Sequence, residues 1–286
     1  MLDLHLHSTF SDGTYRPRGL VELARQRQLQ LVAVTDHDTV DGTAEAMAAG
    51  RRFGVRVLSG LELSVYWQSY HFHLLAYDFN WQDRNLCSGL QELQDAREQR
   101  NKKIVQILAG LGIAIDYDEV RTISADGQTG RPHIARLLVG KKVVASIDQA
   151  FERYLRRGGC AYVPRFLYTV NQAIALIHGA GGVAVLAHPG QLALPLDELE
   201  HLVGALKECG LDGIETFYPT QKGKQLRQLR ALAHHFQLLE TGGSDYHGDL
   251  RPGTGMAGGP QFSIPGEVFL GLQHRWNGAH HDIREP

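Results

Sequence analysis

The sequence predicts an α/β protein, a parallel sheet or barrel carrying an inserted helical subdomain. Three observations predict it. Short apolar runs alternate with amphipathic stretches through residues 1–80. The alternation stops near residue 81 and resumes near 170. His, Asp and Glu recur where the apolar runs end.

Leu2–Leu6 reads as a strand. Residues 17–28 read as a helix, with Pro17 suited to the first turn and Leu20, Val21 and Ala24 on one face. Residues 29–35 form a β-rich run, the pattern of a buried parallel strand. Residues 40–53 are Ala-rich and helical. Strands follow at 55–58, 61–65 and 71–77, the first two broken by Gly60. This β-α-β-α order predicts a parallel sheet or barrel.

From 83 to 111 the stretch containing QELQDAREQRNKKIVQILAGL predicts one long helix, and 136–156 carries further helical pattern. No strand is expected between Ile115 and Tyr162. Helices are then expected at 172–180, 196–209 and 225–236, and strands at 182–187, 213–216 and 238–242. The division that follows is a barrel from 1–80 and 176–286, with 81–175 a helical insertion capping the active site.

Composition narrows the function classes. The chain has 286 residues, 29 Lys+Arg against 31 Asp+Glu, and a formal net charge of −2. That excludes a strongly basic nucleic-acid coat but leaves room for a local basic groove. Fifteen His against three Cys point to imidazole and carboxylate chemistry rather than thiolate chemistry. Cys87, Cys160 and Cys209 form no CxxC pattern, which suits a reducing cytoplasm. The N-terminus MLDLHLHSTFSDG has neither the basic nor the apolar region of a signal peptide, and no apolar run is long enough for a membrane span. No obligate protein partner is evident.

His5 and His7 stand at i and i+2 on the first strand and share a face. Asp12 follows in the loop. The second strand ends in Thr35-Asp36-His37-Asp38, and Glu62 follows Gly60. His71 and His73 share a strand face. VAVLA runs into His188-Pro189, and LLETGG into Ser244-Asp245-Tyr246-His247. The C-terminal ends of parallel barrel strands open on one face, so His5, His7, Asp12, His37, Glu62, His73, His188, Asp245 and His247 are expected to converge. A lone HxH is as readily a surface or core feature, and a lone TDHD as readily a capping turn. The joint pattern is different, because burying that many unpaired ionisable groups is costly. So many N and O donors exceed one tetrahedral ion and suit two to three divalent ions sharing a carboxylate. Mixed imidazole and carboxylate donors suit Mn, with Fe or Zn as alternatives. Ions about 3.5–4 Å apart clamp both oxygens of a phosphoryl displacement and lower the pKa of a water, which points to phosphate-ester hydrolysis.

The stretches DLHLHSTFSDGT, VAVTDHDTVDG, GLELSV, HFHLLAYD, VAVLAHPG and GGSDYHG, in this order over residues 3–248, resemble the PHP (polymerase and histidinol phosphatase) family. The resemblance implies a distorted (β/α)7 barrel with a trinuclear metal site. It implies one ion on His5, His7, Glu62 and Asp245, and a second on Asp12, His37 and His247. The third would sit on Glu62, His73 and His188, with Glu62 bridging. His73 rather than His71 rests on the motif match alone, since both face the same way. His71 is then either a supporting partner or a plain strand residue.

TGRPHIARLLV, FERYLRRGGCAYVPR and AIALIHGAGGVAVLAHPG are similar to a narrower subgroup. It contains 3′,5′-nucleoside bisphosphate phosphatases and the short-RNA 5′→3′ exonuclease RNase AM. In that likeness Arg131 forks the substrate phosphate, and His133 hydrogen-bonds it or protonates the leaving oxygen. The plainer alternative is that both cap the following helix, which Pro132 suits. Arg97, Arg100, Lys102 and Lys103 read as a solvated helix face before a nucleic-acid contact. Tyr162, Arg165 and Tyr168 read equally as base-stacking or packing residues, and His178, His201, His234 and His235 as surface or packing residues. The expected activity is metal-dependent hydrolysis of 5′-phosphorylated nucleotides, pAp-like bisphosphates or short RNA from the 5′ end. The rivals are a histidinol-phosphate-type phosphatase, a polymerase-associated proofreading module, and a metal-binding regulatory or interaction module without catalysis. The GRPH insertion disfavours the first, the absence of a polymerase domain the second, and the full ligand set the third. The glycine-rich DLRPGTGMAGGP is unplaced.

Overall fold

The computed structural model describes residues 1–124, 127–250, 253–257, 264–266 and 268. The expected strands and helices form with shifted ends, those at 55–58 and 61–65 as a single strand. They are β1 (Leu2–Leu6), α1 (Pro17–Gln26), β2 (Leu31–Val34), α2 (Thr43–Phe53), β3 (Arg56–Trp67) and β4 (Tyr70–Tyr77). Then come α3 (Arg84–Gly110), α4 (Tyr117–Ser124), α5 (Arg131–Gly140), α6 (Ile147–Ala150), a π-helical turn at Phe151–Leu155, and β5 (Tyr168–Thr169). The chain continues with α7 (Val170–Gly179), β6 (Val183–Leu186), α8 (Leu196–Glu208), β7 (Gly213–Phe217), α9 (Gly223–His235) and β8 (Leu239–Gly242).

The local chemistry explains the boundaries. α1 starts on Pro17 and buries Leu20, Val21 and Ala24. Asp83 caps α3 by accepting the Leu86 N–H at 2.9 Å. Thr169 and Gln172 form a capping box that opens α7.

The sheet runs β1-β2-β3-β4-β6-β7-β8, with β5 paired to β3. Its edges come together where Leu6 bridges Tyr246 in parallel. Two expectations are corrected. Gly60 does not end a strand, because β3 is continuous through it. A Cβ at Gly60 would lie 2.5 Å from the Val34 carbonyl oxygen, so glycine is there for close strand approach. Nor is the sheet all parallel. β4 pairs antiparallel with both β3 and β6; with β3 this follows from the short turn at Gln68 and Ser69, too short for a parallel crossover.

Between Ile115 and Tyr162 the described residues hold no strand. They carry an apolar core of their own, with Ile104, Leu108, Val120, Ile134, Leu138 and Leu155 among its buried residues. The first half of α3 packs instead with the sheet, through Leu86, Leu90 and Leu93. The single helix α3 thus joins two cores. Of the glycine-rich tail, Met256 is buried among Leu6, Leu20 and Val21, and Ala257 N–H donates to Asp3 Oδ2 at 2.6 Å. Within DLRPGTGMAGGP, residues 251–252 and 258–260 lie outside the described residues, as does most of the segment after 257 expected to complete the barrel.

Among the described residues no helix is long and apolar enough to cross a membrane.

Candidate metal centre

All of the residues expected to converge do so, at the ends of β1, β2, β6 and β8 and along β3 and β4. Four groups of donors lie within one ion's reach. They are His7 with Asp12, His37 and His247; His5 with His7 and Asp245; His5 with Glu62 and His188; and His37 with Glu62 and His73. Glu62 is the hub. Its Oε1 lies 2.8 Å from His73 Nδ1 and 3.0 Å from His188 Nε2. Its Oε2 lies 3.1 Å from His37 Nδ1, 3.2 Å from His7 Nε2 and 3.4 Å from His5 Nε2. Asp245 Oδ1 faces His7 Nε2 at 3.2 Å and His5 Nε2 at 3.5 Å. Asp12 faces His247 Nε2 at 3.3 Å and His37 Nε2 at 3.9 Å.

The fit of these residues to divalent ions is tested by their own polar atoms. His5 Nε2, His7 Nε2, Asp12 Oδ1, His37 Nδ1, Glu62 Oε2 and His247 Nε2 are buried without a hydrogen-bond partner. Orphaned buried polar atoms are costly and rare in folded proteins. Here they converge on one another, and every one is an N or O donor of the kind that Mn, Fe or Zn accepts.

The electrostatics keep the site's carboxylates ionised. Burial alone would raise the Glu62 carboxyl, but His73, His37 and His5 outweigh it and hold it well below the usual carboxylate range. Asp12 is likewise held well below it, against burial, by His247 and His37. His7 is pushed up to about 9, because the Asp245 and Glu62 carboxylates beside it outweigh its burial. His37 is pushed down to about 3 by burial. These carboxylates remain anions deep in the protein, the charge that a cation cluster requires.

The backbone at two of these residues is unusual. His188 has φ +28° and Asp245 φ +53°, conformations that side-chain-bearing residues adopt sparingly and that cluster at functional sites. A Cβ at Gly243 would collide with His5 Cβ. Glycine there lets the Ser244–His247 turn approach β1.

Supporting residues that the sequence reading missed surround the cluster. Asp3 accepts from Ser244 N and Oγ at 2.9 and 2.6 Å, anchoring the turn that bears Asp245. Asp36 accepts from Ser8 N, Ser8 Oγ and Ser11 Oγ at 2.7, 2.5 and 2.6 Å, which shapes the loop leading to Asp12. Tyr218 donates its hydroxyl to Asp245 Oδ2 at 2.8 Å. Glu215 touches both His5 and His188. The signal available was a carboxylate inside an otherwise apolar strand, as in LDLHL and GIETF.

Beside His73 and His188 opens a cleft of ≈430 Å³ whose walls include Arg100, Arg131, Phe151, Arg157, Tyr162 and Arg165. The solvated-face reading of the α3 cations is corrected here. Lys102 is half-buried at the surface and pairs with Glu98 at 2.8 Å. Arg100, however, is buried and its Nε has no hydrogen-bond partner. Arg97 pairs with buried Asp38, as does Arg165 at 2.7 Å. The helical period puts 97 and 100 on the inner face and 102 and 103 outside. Arg131 lines the cleft and donates from Nη1 to the Leu155 carbonyl at 3.2 Å. His133 lies in a separate small cavity with Asp12, His37 and Arg97, and its Nδ1 accepts the Gly130 N–H at 3.0 Å. Burial pushes the His133 imidazole down to about 4. His71 sits exposed at the cleft rim. Tyr168 donates to Glu92 at 2.5 Å. His178 is exposed and pairs with Asp212, while His201, His234 and His235 are exposed.

Comparison with known proteins is consistent with this geometry. The PHP domain signature matches residues 3–236. A 5′-3′ exoribonuclease of Haemophilus influenzae is 35% identical over 245 residues, covering 86% of this chain and 89% of that one. A 3′,5′-nucleoside bisphosphate phosphatase of Chromobacterium violaceum is 32% identical over 255 residues, covering 89% and 88%. A solved structure from Bifidobacterium adolescentis, assigned as a metal-dependent phosphoesterase, superposes with a TM-score of 0.86 at 32% identity over 96% of each chain.

Proposed function

This chain belongs to the PHP domain family and is a metal-dependent phosphoesterase, and on that premise we propose that it hydrolyses 5′-phosphorylated nucleotides. The substrates in view are 3′,5′-nucleoside bisphosphates such as pAp, and short RNA taken from the 5′ end. The observation that carries this reading is the arginine-lined cleft opening directly beside His73 and His188. Several guanidinium groups and two aromatic rings suit phosphate and base together. A histidinol phosphate, with one phosphate and an imidazole in place of a nucleobase, has less use for several guanidinium groups.

The division of labour we propose is as follows. His5, His7, Asp245 and Glu62 hold one divalent ion, and Asp12, His37 and His247 a second. Glu62, His73 and His188 hold a third. Mn is the ion we expect, with Fe or Zn as alternatives. When bound, closely spaced ions of this kind lower the pKa of a water and stabilise the oxygens around phosphorus. Arg131 orients the phosphate as a two-pronged donor. His133 acts as a hydrogen-bond donor rather than as an acid. Its Nδ1 accepts the Gly130 N–H, so its proton resides on Nε2, and an imidazole held down to about 4 is neutral at pH 7. Arg100 and Arg165 take the phosphate that is not cleaved, and Tyr162 offers a stacking face.

Residues 1–80 and 176–286 form the catalytic unit in this reading, and 81–175 the cap. The separate apolar core of the insertion supports that division. The free cysteines, with Cys87 and Cys160 exposed, fit a reducing cytoplasm.

The test is phosphate release from pAp, histidinol phosphate and a short 5′-phosphorylated RNA, with Mn²⁺ and with chelator. Release from pAp, with or without RNA shortening, that chelator abolishes is the expected result. Activity on histidinol phosphate alone would overturn the substrate assignment and keep the chemistry. Bound metal without any activity would favour a regulatory module.

A further inference from the structure

Glu215 lies on β7, fully buried, and its two carboxylate oxygens serve two different candidate ligands. Oε1 is 2.9 Å from His5 Nδ1. Oε2 accepts the backbone N–H of His188 at 2.7 Å. The carboxylate thus reaches a side chain from β1 and the main chain of the turn after β6. Its own strand is fixed as well, since Gln221 Nε2 donates to the carbonyls of Glu215 and Thr216, both at 2.9 Å.

We propose that Glu215 is a positioning residue that sets two ligands of the metal centre at once, His5 through its tautomer and His188 through its backbone. The inference rests on His5 and His188 being ligands, as argued above. An imidazole that presents Nε2 to an ion must carry its proton on Nδ1. The carboxylate of Glu215, which can only accept, holds it there. At His188 the constraint is conformational. The residue sits at φ +28°, outside the ordinary wells for a side-chain-bearing residue. The hydrogen bond from its N–H to Glu215 holds the turn that aims Nε2 at Glu62 Oε1, 3.0 Å away. Both distant ligands therefore depend on one carboxylate that itself needs no contact with an ion.

Glu215→Gln is the discriminating substitution. The amide keeps the size but offers one acceptor and one donor to two donors, His5 Nδ1–H and His188 N–H. Either the His188 N–H loses its acceptor, or His5 moves its proton to Nε2 and can no longer bind an ion. Mn²⁺ affinity, measured by chelator competition in wild type, Glu215→Gln, His5→Ala and the double variant, reads the coupling. We expect Glu215→Gln to weaken binding about 10–100-fold, with most of that loss absent once His5 is alanine. Fully additive losses, or unchanged affinity in Glu215→Gln, overturn the proposal while leaving the metal centre standing. A wild type that binds no Mn²⁺ overturns the metal centre and this proposal with it. If Glu215→Gln fails to fold, ¹⁵N NMR of the Zn²⁺-loaded wild type decides. A hydrogen-bonded proton on His5 Nδ1 is expected, and a proton on Nε2 overturns the assignment.

Discussion

Arg165 donates to Asp38 Oδ2 at 2.7 Å, and this contact joins the return segment of the insertion to the residue that follows His37. Arg97 from α3 reaches the same oxygen. The Asp38 carbonyl also accepts from Gln94 and Gln128, each at 3.1 Å, and its carboxylate takes the Ser64 N–H at 2.9 Å. Burial would raise Asp38, but Arg165 and Arg97 outweigh it and hold it well below the usual carboxylate range. One buried anion beside a candidate ligand thus anchors two separate parts of the cap.

Removing that anion should be expensive. Asp38→Asn keeps the shape and tolerates the φ of +53° at this position. It leaves the Arg97 and Arg165 side chains, 12% and 8% exposed, without their counter-charge. Breaking a buried ion pair from one side costs about 3–5 kcal/mol. Urea unfolding should show a loss of that size, and a loss below about 1 kcal/mol would mean the pair contributes little.

His133 predicts a pH dependence. Its folded-state pKa, about 4, lies below the ordinary histidine value of 6.5. The unfolded chain therefore takes up a proton first as pH falls. The stabilising contribution of the neutral, buried imidazole is complete above pH 6.5 and is lost as pH falls toward 4. In chelator, so that ion release does not contribute, wild type should lose roughly 2–3 kcal/mol more than His133→Gln between pH 7 and 4.5. Parallel stability curves for the two proteins would contradict this. At neutral pH with Mn²⁺, His133→Ala should lower turnover and leave metal content intact, whereas lost metal would make His133 a ligand.

The residues that converge here were legible because they carry rare chemistry at strand ends, where the alternation of elements already places one open face. Arg100 was not legible. A cation on a polar helix reads as solvated unless the partner surface is known, and only tertiary packing shows which face of α3 turns inward. Gly60 failed for a similar reason. Its neighbour at Val34 is distant in sequence, so a close approach between strands looks like a strand break. The antiparallel placing of β4 was readable in principle from the two-residue connection at Gln68 and Ser69. Glu215 was hidden by its company, a single carboxylate in an apolar strand whose partners lie on β1 and after β6.

Arg100 sets function against stability. It is 5% exposed, and burial together with Arg97 and Arg131 makes its charge unfavourable. Nothing in folding alone recommends a buried guanidinium whose Nε has no hydrogen-bond partner. Arg100→Met should keep the volume, hold or raise stability, and leave Mn²⁺ content unchanged. Losing a charge-assisted hydrogen bond of about 1.5–3 kcal/mol should cut kcat/KM for pAp roughly 10–100-fold. Substrates with a single phosphate should be much less affected. A kcat/KM for pAp within twofold of wild type would remove Arg100 from substrate binding.

Gly243 tests whether the approach of the β8 turn to β1 is what assembles the site. The added Cβ of Gly243→Ala would overlap His5 Cβ and crowd the His5 backbone nitrogen. Both belong to β1, which is paired to β2 on its other side, so the β8 turn is the part free to yield. Its displacement carries Asp245 and His247 away from His5, His7 and Asp12, because both follow Gly243 within four positions on one short turn. Overpacking of this kind costs about 1–3 kcal/mol in stability. The metal loss should be out of proportion to that cost, since donors about 1 Å out of place lose the geometry an ion demands. Metal analysis of the folded variant should therefore find fewer bound ions than in wild type. A variant that is destabilised but retains its full metal content would show that the site tolerates movement of this turn, and that Asp245 and His247 are held by Asp3 and Tyr218 instead.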